Sequence, residues 1–134
     1  MTNILFLCIA NAVRSQIAEG LTRAKFGRSA PVQSAGSCPS KVHPLAIKVM
    51  REVNVDISTQ WSKAVDDIDP TTVDLVITLC AEEVCPTFLG SARQIHWSLP
   101  DPVVLTGSET KQIERFREIR DEINEKLNTL KLDI

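Results

Sequence analysis

The sequence predicts an α/β fold in which a single domain, residues 1–134, carries a parallel four-stranded sheet flanked by helices. Strand-length apolar segments alternate with segments of helical periodicity, and this pattern is typical of a parallel sheet with right-handed crossovers. A length of 134 residues suits one domain whose core needs no disulfides. A composition of 43% hydrophobic and 24% charged residues is that of an ordinary soluble globular protein.

Four segments have the length and residue types of strands. The first is a continuous apolar run, which indicates a strand covered on both faces of the sheet. Gly36 is expected to end the second. The predicted strands are Asn3–Cys8, Val32–Ala35, Val73–Leu79 and Arg93–Trp97.

Three segments have the apolar spacing of helices. Gly27 is expected to end the first, and a proline opens the second. The predicted helices are Arg14–Phe26, Pro44–Val53 and Glu109–Leu130. Ligands of open parallel sheets bind outside the carboxyl ends of the strands, so Cys8, Cys80 and Asp101 are predicted to meet at one edge.

Charge and cysteine content limit the class of function. A net charge of −2 argues against nucleic acid or a membrane surface as a partner. The apolar N-terminal run is too short for a membrane span and lacks the layout of a signal peptide, which predicts a cytoplasmic protein. Four cysteines in such a protein are expected to be reactive thiols or metal ligands and not structural disulfides.

The segment from Cys8 to Ser15 joins the first strand to the first helix. A loop at a helix N-terminus can point successive amides at an anion, and the helix dipole adds positive potential. The Arg14 guanidinium matches a tetrahedral oxyanion, while the same field favours a Cys8 thiolate, to which Ser15 could donate a hydrogen bond. The predicted oxyanion-binding residues are Ile9, Ala10, Asn11, Ala12, Val13 and Arg14. The alternative is a packed cysteine beside a surface arginine.

Asp101 is the candidate proton donor. A thiolate that attacks an oxyanion needs an acid for the departing oxygen, and Asp101 lies in a stiff loop between Pro100 and Pro102. The alternative is a simple Asp-Pro turn.

Cys80 and Cys85, five positions apart, form the second informative feature. A hydrolase needs one cysteine, whereas a reductase needs further thiols that carry a disulfide away from the site. The alternative is a pair of cysteines without function. A zinc site formed by this pair, Cys38 and either His43 or His96 matches no common ligand spacing, so no metal is predicted. The two histidines are expected to be structural or peripheral.

Taken together, seven motifs resemble the thioredoxin-coupled arsenate reductases, which share the fold of low-molecular-weight tyrosine phosphatases. The resemblance runs from Asn3 to about Leu130. The Cys80 and Cys85 pair is specific to the reductase branch, whereas the Cys8 loop and the Asp101-Pro102 pair are common to both branches. The motifs are Cys8-x5-Arg14-Ser15-Gln16, Ala18-Glu19-Gly20, Ser34-Ala35-Gly36, Val55-Asp56-Ile57-Ser58, Leu79-Cys80, Cys85-Pro86 and Asp101-Pro102.

The resemblance implies catalysis by a three-cysteine relay that needs no cofactor. Cys8 attacks arsenate, Arg14 and the loop amides stabilise the negative charge on the arsenate oxygens, and Asp101 protonates the leaving oxygen. Cys80 then attacks the adduct and releases arsenite with a Cys8–Cys80 disulfide, and Cys85 attacks Cys80 to free Cys8. The implied partners are arsenate or a phosphate-like oxyanion and a thioredoxin or glutaredoxin-type reductant, with the chain a monomer.

The chain departs from that family at three positions. Val13 stands where a further cysteine is common, and Ala10 stands where glycine is usual. Some members bind potassium near the loop, and Asn11, Glu19 and Ser34 match three of its ligands. Lys63 occupies the position of the fourth, an acidic residue, so its ammonium group is expected to replace the cation and make activity independent of potassium.

Two other functions stay open at this stage. One is a low-molecular-weight protein tyrosine phosphatase-like phosphomonoester hydrolase, although the chain has no tyrosine and only 4% aromatic residues to line a phosphotyrosine cleft. The other is a non-enzymatic redox or anion-sensing module.

Overall fold

The computed structural model describes residues 2–81, 90–103 and 107–130, and these form a four-stranded parallel sheet. The α/β fold class predicted from the sequence is thereby confirmed. The strand order is β2-β1-β3-β4. The strands are β1 (Ile4–Cys8), β2 (Val32–Gly36), β3 (Leu75–Thr78) and β4 (Arg93–His96).

The strand register places two cysteines at one edge of the sheet. Cys8, the last residue of β1, pairs with Gly36 of β2. On the other side of β1, Leu7 pairs with Thr78, the last residue of β3, so Cys80 lies just past the end of that strand, one register position beyond Cys8. The chain moves from β1 to β2 on one side and to β3 on the other. Ligands of open α/β sheets bind at this kind of switch point.

Three helices cover one face of the sheet. Apolar side chains of all three join Ile4, Phe6 and Ile77 in one buried cluster. None of the helices in the described ranges is long and apolar enough to cross a membrane. The helices are α1 (Arg14–Phe26), α2 (Pro44–Arg51) and α3 (Glu109–Thr129).

Among the described residues, the chain between residues 64 and 73 packs on the other face of the sheet. Ile68 and Val73 from this segment pack on Leu5, Leu7 and Val76. The segment contains two short 3-10 turns. β1 is therefore buried on both sides, as its continuous apolar run predicts.

Local backbone bonds explain where the observed elements differ from the predicted ones. The second helix was predicted to reach Val53 but ends at Arg51, because the chain turns through Asn54, whose φ is +63°. The third strand was predicted to begin at Val73, whose amide instead donates to Pro70 and closes a 3-10 turn. The second strand was predicted to stop at Ala35, but Gly36 is its last residue, since it pairs with Cys8.

Candidate active site

The loop after β1 turns five consecutive carbonyls away from its concave side. Because the C=O and the next N–H of a trans peptide point in opposite directions, the amides from Ala10 to Arg14 face the concave side. The carbonyls of Ile9, Ala10, Asn11, Ala12 and Val13 accept from Cys38 N (2.9 Å), Ser40 N (3.0 Å), Gln16 Nε2 (3.0 Å), His43 N (3.0 Å) and Ile17 N (2.9 Å), respectively. The neighbouring segments thus hold the loop as a row of inward donors.

The N-terminus of α1 adds to this donor surface. Val13 at the N-cap provides no side-chain cap, and the first turn contains no acidic residue. The first amides of a helix have no partner within the helix, and they carry the positive end of its dipole. An anion on the concave side would meet these amides.

The hydrogen bonds around Cys8 leave a donor available to its sulfur. The Ser15 hydroxyl accepts from Asn11 Nδ2 at 2.7 Å and lies 2.8 Å from Cys8 Sγ, and both contacts are buried. The Asn11 amide does not use the Ser15 hydroxyl proton, which is therefore available to donate to the sulfur.

Asn11 is the residue that fixes these directions. Its Oδ1 accepts from Lys63 N at 2.8 Å and from Gln16 Nε2 at 3.1 Å, so the amide cannot flip without losing both bonds. Its Nδ2 donates to Ser15 and also to Ser34 Oγ at 2.9 Å. Asn11 has a φ of +49°, in a region that asparagine tolerates better than most residues, whereas Ala10 avoids positive φ.

Gly36 allows β2 to approach the loop. A Cβ at this position would lie 2.3 Å from the carbonyl oxygen of Ile9. Only glycine permits this contact while keeping its strand pairing with Cys8.

A cavity of about 250 Å³ opens above the loop. Its volume is below that of typical drug-sized sites and suits a small ion. Arg14 is almost fully buried, and its Nη1 donates to Leu99 O at 3.0 Å, which anchors the guanidinium to the chain after β4. The lining residues are Cys8, Ala10, Ala12, Val13, Arg14, Ser40, His43, Asp101 and Val103. The structure therefore brings Cys8, Arg14 and Asp101 together.

The remaining cysteines differ in exposure and in bonding. Cys80 is 1% exposed and disulfide-bonded, whereas Cys8 and Cys38 are free. Cys38 lies on the exposed loop after β2. Cys85 lies outside the described residues, so the structure describes only Cys80 of the predicted pair. Within the described ranges, no three metal-ligating side chains lie close enough together to hold a metal ion.

The residues expected from the family to hold potassium do not fit that cation. Glu19 is 4% exposed, and its Oε1 accepts from Ser34 Oγ at 2.6 Å. The Lys63 ammonium lies 3.6 Å from the same oxygen, and Arg23 binds the other one at 2.8 Å. The carboxylate already has two cationic partners, and a potassium ion there would repel Lys63.

Several residues that support the loop escaped the sequence analysis. Gln16, which belongs to the first family motif but was given no role, is fully buried and ties Asn11 to Trp61. Ser62 donates to Ala10 O at 3.0 Å from 52 positions away. His43, expected to be structural or peripheral, caps α2 and also lines the cavity. A buried Gln in a polar first turn is a signal that could have been noticed, but the long-range contacts leave no local pattern.

Comparisons with known proteins agree with this geometry. The family model "Low molecular weight phosphotyrosine protein phosphatase" matches residues 3–134. An arsenate reductase of Halalkalibacterium halodurans is 39% identical over 128 residues, which are 94% of this chain and 92% of that protein.

Two solved structures extend these similarities to the fold. One, described as an arsenate reductase in the phosphate binding state, has a TM-score of 0.80 at 32% identity, covering 96% of this chain and 95% of that one. A thioredoxin-dependent arsenate reductase of Corynebacterium glutamicum has a TM-score of 0.68 at 33% identity, covering 96% of this chain and 61% of that one. The chain therefore belongs to the low molecular weight phosphotyrosine protein phosphatase family, and within it is similar to arsenate reductases.

Proposed function

We propose that this chain is an arsenate reductase that uses Cys8, Cys80 and Cys85 in sequence and is regenerated by a thioredoxin-type dithiol. The observation that carries the proposal is the free Cys8 sulfur, which lies 2.8 Å from Ser15 Oγ beneath inward-facing amides, with Cys80 one register position beyond it. The 39% identity to an arsenate reductase over most of both chains supports the choice of substrate.

The first step is attack by the Cys8 thiolate on arsenic. The S–As bond forms while an As–O bond breaks, and the departing oxygen takes a proton from Asp101 and leaves as water. The loop amides and Arg14 stabilise the charge on the remaining oxygens, because preorganised donors need no rearrangement as the transition state forms. Asp101 lines the same cavity as Cys8 and Arg14, which supports its role as the acid.

The second step transfers two electrons to arsenic. The Cys80 thiolate attacks Cys8 Sγ, forming the Cys8–Cys80 disulfide, and the S–As electron pair leaves on arsenic as arsenite. Cys85 then attacks Cys80 and frees the Cys8 thiolate. This last exchange leaves Cys8 free and Cys80 in a disulfide, which is the state in which both residues are found.

A dithiol must then reduce the Cys80–Cys85 disulfide and supply the two electrons. The similar Corynebacterium protein is described as thioredoxin-dependent, which favours thioredoxin over a glutaredoxin-type reductant. We place the reaction in the cytoplasm, where such dithiols are kept reduced, and expect a monomer.

A phosphomonoester hydrolase is the second candidate. The Cys8 loop, Arg14 and Asp101 are sufficient for hydrolysis, and the matched family is named for phosphatases. Against a phosphotyrosine substrate, the cavity has no Phe, Tyr or Trp among its described lining residues. We therefore expect hydrolysis to be at most a side activity.

The test is an assay in which NADPH oxidation is coupled to arsenate through thioredoxin and thioredoxin reductase. Wild type should cycle, whereas Cys8→Ser should not react and Cys80→Ser should not release arsenite. Cys85→Ser should complete one turnover and stop. Cys38→Ser is the matched control, because Cys38 is an exposed free thiol outside the relay, and it should cycle like wild type.

One pattern of results would contradict the reductase proposal. In that pattern, wild type shows no arsenate-dependent NADPH oxidation but hydrolyses p-nitrophenyl phosphate, and hydrolysis survives Cys80→Ser. The hydrolase reading would then replace it.

A further inference from the structure

His43 is tied to both the Cys8 loop and the start of α2. Its backbone amide donates to Ala12 O at 3.0 Å, and its Nδ1 accepts from Leu45 N at 3.1 Å. A neutral imidazole has one donor and one acceptor nitrogen, so the bond at Nδ1 fixes the proton on Nε2. His43 therefore has one remaining polar atom, an Nε2–H donor.

The surroundings of His43 keep it neutral and place it near the acid. Burial lowers the pKa of His43 from its ordinary value of 6.5, the Asp101 charge opposes this, and Lys41 adds a smaller lowering effect. The ring packs on Phe116 with centroids 5.0 Å apart, which limits its rotation. His43 and Asp101 line the same cavity, together with Cys8 and Arg14.

The Asp101 carboxyl group is held at one oxygen. Its Oδ1 accepts from Val103 N at 3.0 Å, in a turn formed by the chain after β4. Oδ2 is then the oxygen suited to passing a proton into the cavity. Once that proton has left, the carboxylate needs a donor.

We propose that His43 is a positioning residue that acts through Asp101, donating from Nε2–H to the Asp101 carboxylate as the proton passes to the departing oxygen. This inference rests on the proposed function, in which Asp101 is the acid. A donor binds a carboxylate more strongly than a carboxylic acid, so the contact strengthens as the transition state forms and raises kcat. A neutral imidazole does this without bringing a second positive charge beside Arg14.

The first test does not depend on activity. The chain has two histidines, so nitrogen-15 NMR of the imidazoles can be assigned with His43→Asn and His96→Asn. We expect the Nε2–H form for His43 in wild type, and a further drop in its titration midpoint in Asp101→Asn. The inference would be overturned if His43 carried its proton on Nδ1, or if Asp101→Asn left the titration midpoint of His43 unchanged.

The second test separates capping from positioning. His43→Asn keeps a good N-cap but loses the Nε2–H donor, whereas His43→Ala loses both. In His43→Asn we expect a Tm a few degrees below wild type, because the ring contact with Phe116 is lost, and about tenfold lower kcat at unchanged KM for arsenate, the size of one lost hydrogen bond. In Asp101→Asn, adding His43→Asn should cause no further loss. Unchanged kcat, or the same loss in both backgrounds, would exclude action through Asp101.

The two proposals fail separately. If wild type does not reduce arsenate, the proposed function fails, and the same double-mutant cycle is run on p-nitrophenyl phosphate hydrolysis, which needs the same acid. The NMR test needs neither arsenate nor p-nitrophenyl phosphate, so its result does not depend on which substrate the protein uses.

Discussion

The hydroxyl oxygen of Ser15 lies 2.8 Å from Cys8 Sγ and accepts a hydrogen bond from Asn11 Nδ2 at 2.7 Å. The amide of Asn11 is itself oriented by the backbone N–H of Lys63. A donor chain thus runs from Lys63 through Asn11 and Ser15 to the sulfur. Its first two links have fixed donors, and they leave the Ser15 hydroxyl proton available for the sulfur.

Ser15→Ala should slow attack by Cys8. The substitution removes the donor to the thiolate, and a hydrogen bond to a charged group contributes about 1.5–3 kcal/mol, which corresponds to a rate loss of roughly 10- to 100-fold. Single-turnover kinetics with arsenate in excess measure this step directly. Thr22→Val is the matched control on the same helix, because the buried Thr22 hydroxyl has no partner among the described residues and its loss should leave the rate unchanged.

Asn11→Asp should slow the same step, because it reverses the direction of the hydrogen bond between residue 11 and Ser15. A carboxylate has no N–H, so the Ser15 and Ser34 hydroxyls would donate to it, and Ser15 could no longer donate to the sulfur. We expect a rate loss at least as large as that of Ser15→Ala. The two changes should not add in the double variant, because they break the same bond to Cys8. Additive losses would show that Asn11 acts by another route.

The sequence predicted the fold and the placing of Cys8 and Asp101 at one cavity because both leave local patterns. A buried strand followed by a helix identified the Cys8 loop. Asp101 was expected beside it because ligands of open parallel sheets bind outside the carboxyl ends of the strands. The role of Gln16 was missed because it depends on Asn11 folding back with positive φ and on Trp61, 45 positions away. A helix-start glutamine carries no local mark of such contacts.

The position of His43 shows a second limit of sequence reasoning. The His-Pro pair predicts a helix start, and His43 does cap α2. Its place in the cavity follows from the backbone bond to Ala12, 31 positions earlier, which only the folded loop creates. The sequence therefore predicts its local role and not its long-range one.

Gly36→Ala should disrupt the site more than an equivalent change elsewhere. The new Cβ would lie 2.3 Å from Ile9 O, so β2 or the loop must shift, with a loss in the free energy of unfolding of about 1–3 kcal/mol or more. The rate of Cys8 alkylation by iodoacetamide should change as well. In Gly27→Ala the Cβ meets nothing within 4 Å, and the cost, about 1–3 kcal/mol, comes only from a φ of +56° with a ψ of −131°, a conformation that favours glycine. That control should keep the wild-type alkylation rate.

Glu52 should make stability depend on pH in the acid range. Hydrogen bonds from Arg117 and Arg120 lower the pKa of Glu52 from 4.5 to about 2, which links the end of α2 to α3. A lowered carboxyl pKa stabilises the fold above pH 4.5, and this contribution disappears as the pH falls toward 2. Glu52→Gln should cost about 1 kcal/mol at pH 7, the upper range for exposed ion pairs. The free energy of unfolding, measured with urea, should fall less between pH 7 and pH 3 in the variant than in wild type.

Stability and turnover should be independent of potassium, because Lys63 already provides the cation beside Glu19. Its Nζ lies 3.6 Å from Glu19 Oε1 and within hydrogen-bond distance of Trp61 O at 3.0 Å. We expect equal Tm and equal turnover in KCl and NaCl at the same ionic strength. Lys63→Gln removes the ammonium group but keeps the backbone N–H that orients Asn11, so it should lower Tm by a few degrees and allow partial rescue by potassium. A wild-type Tm that rises in KCl and not in NaCl would contradict this role for Lys63.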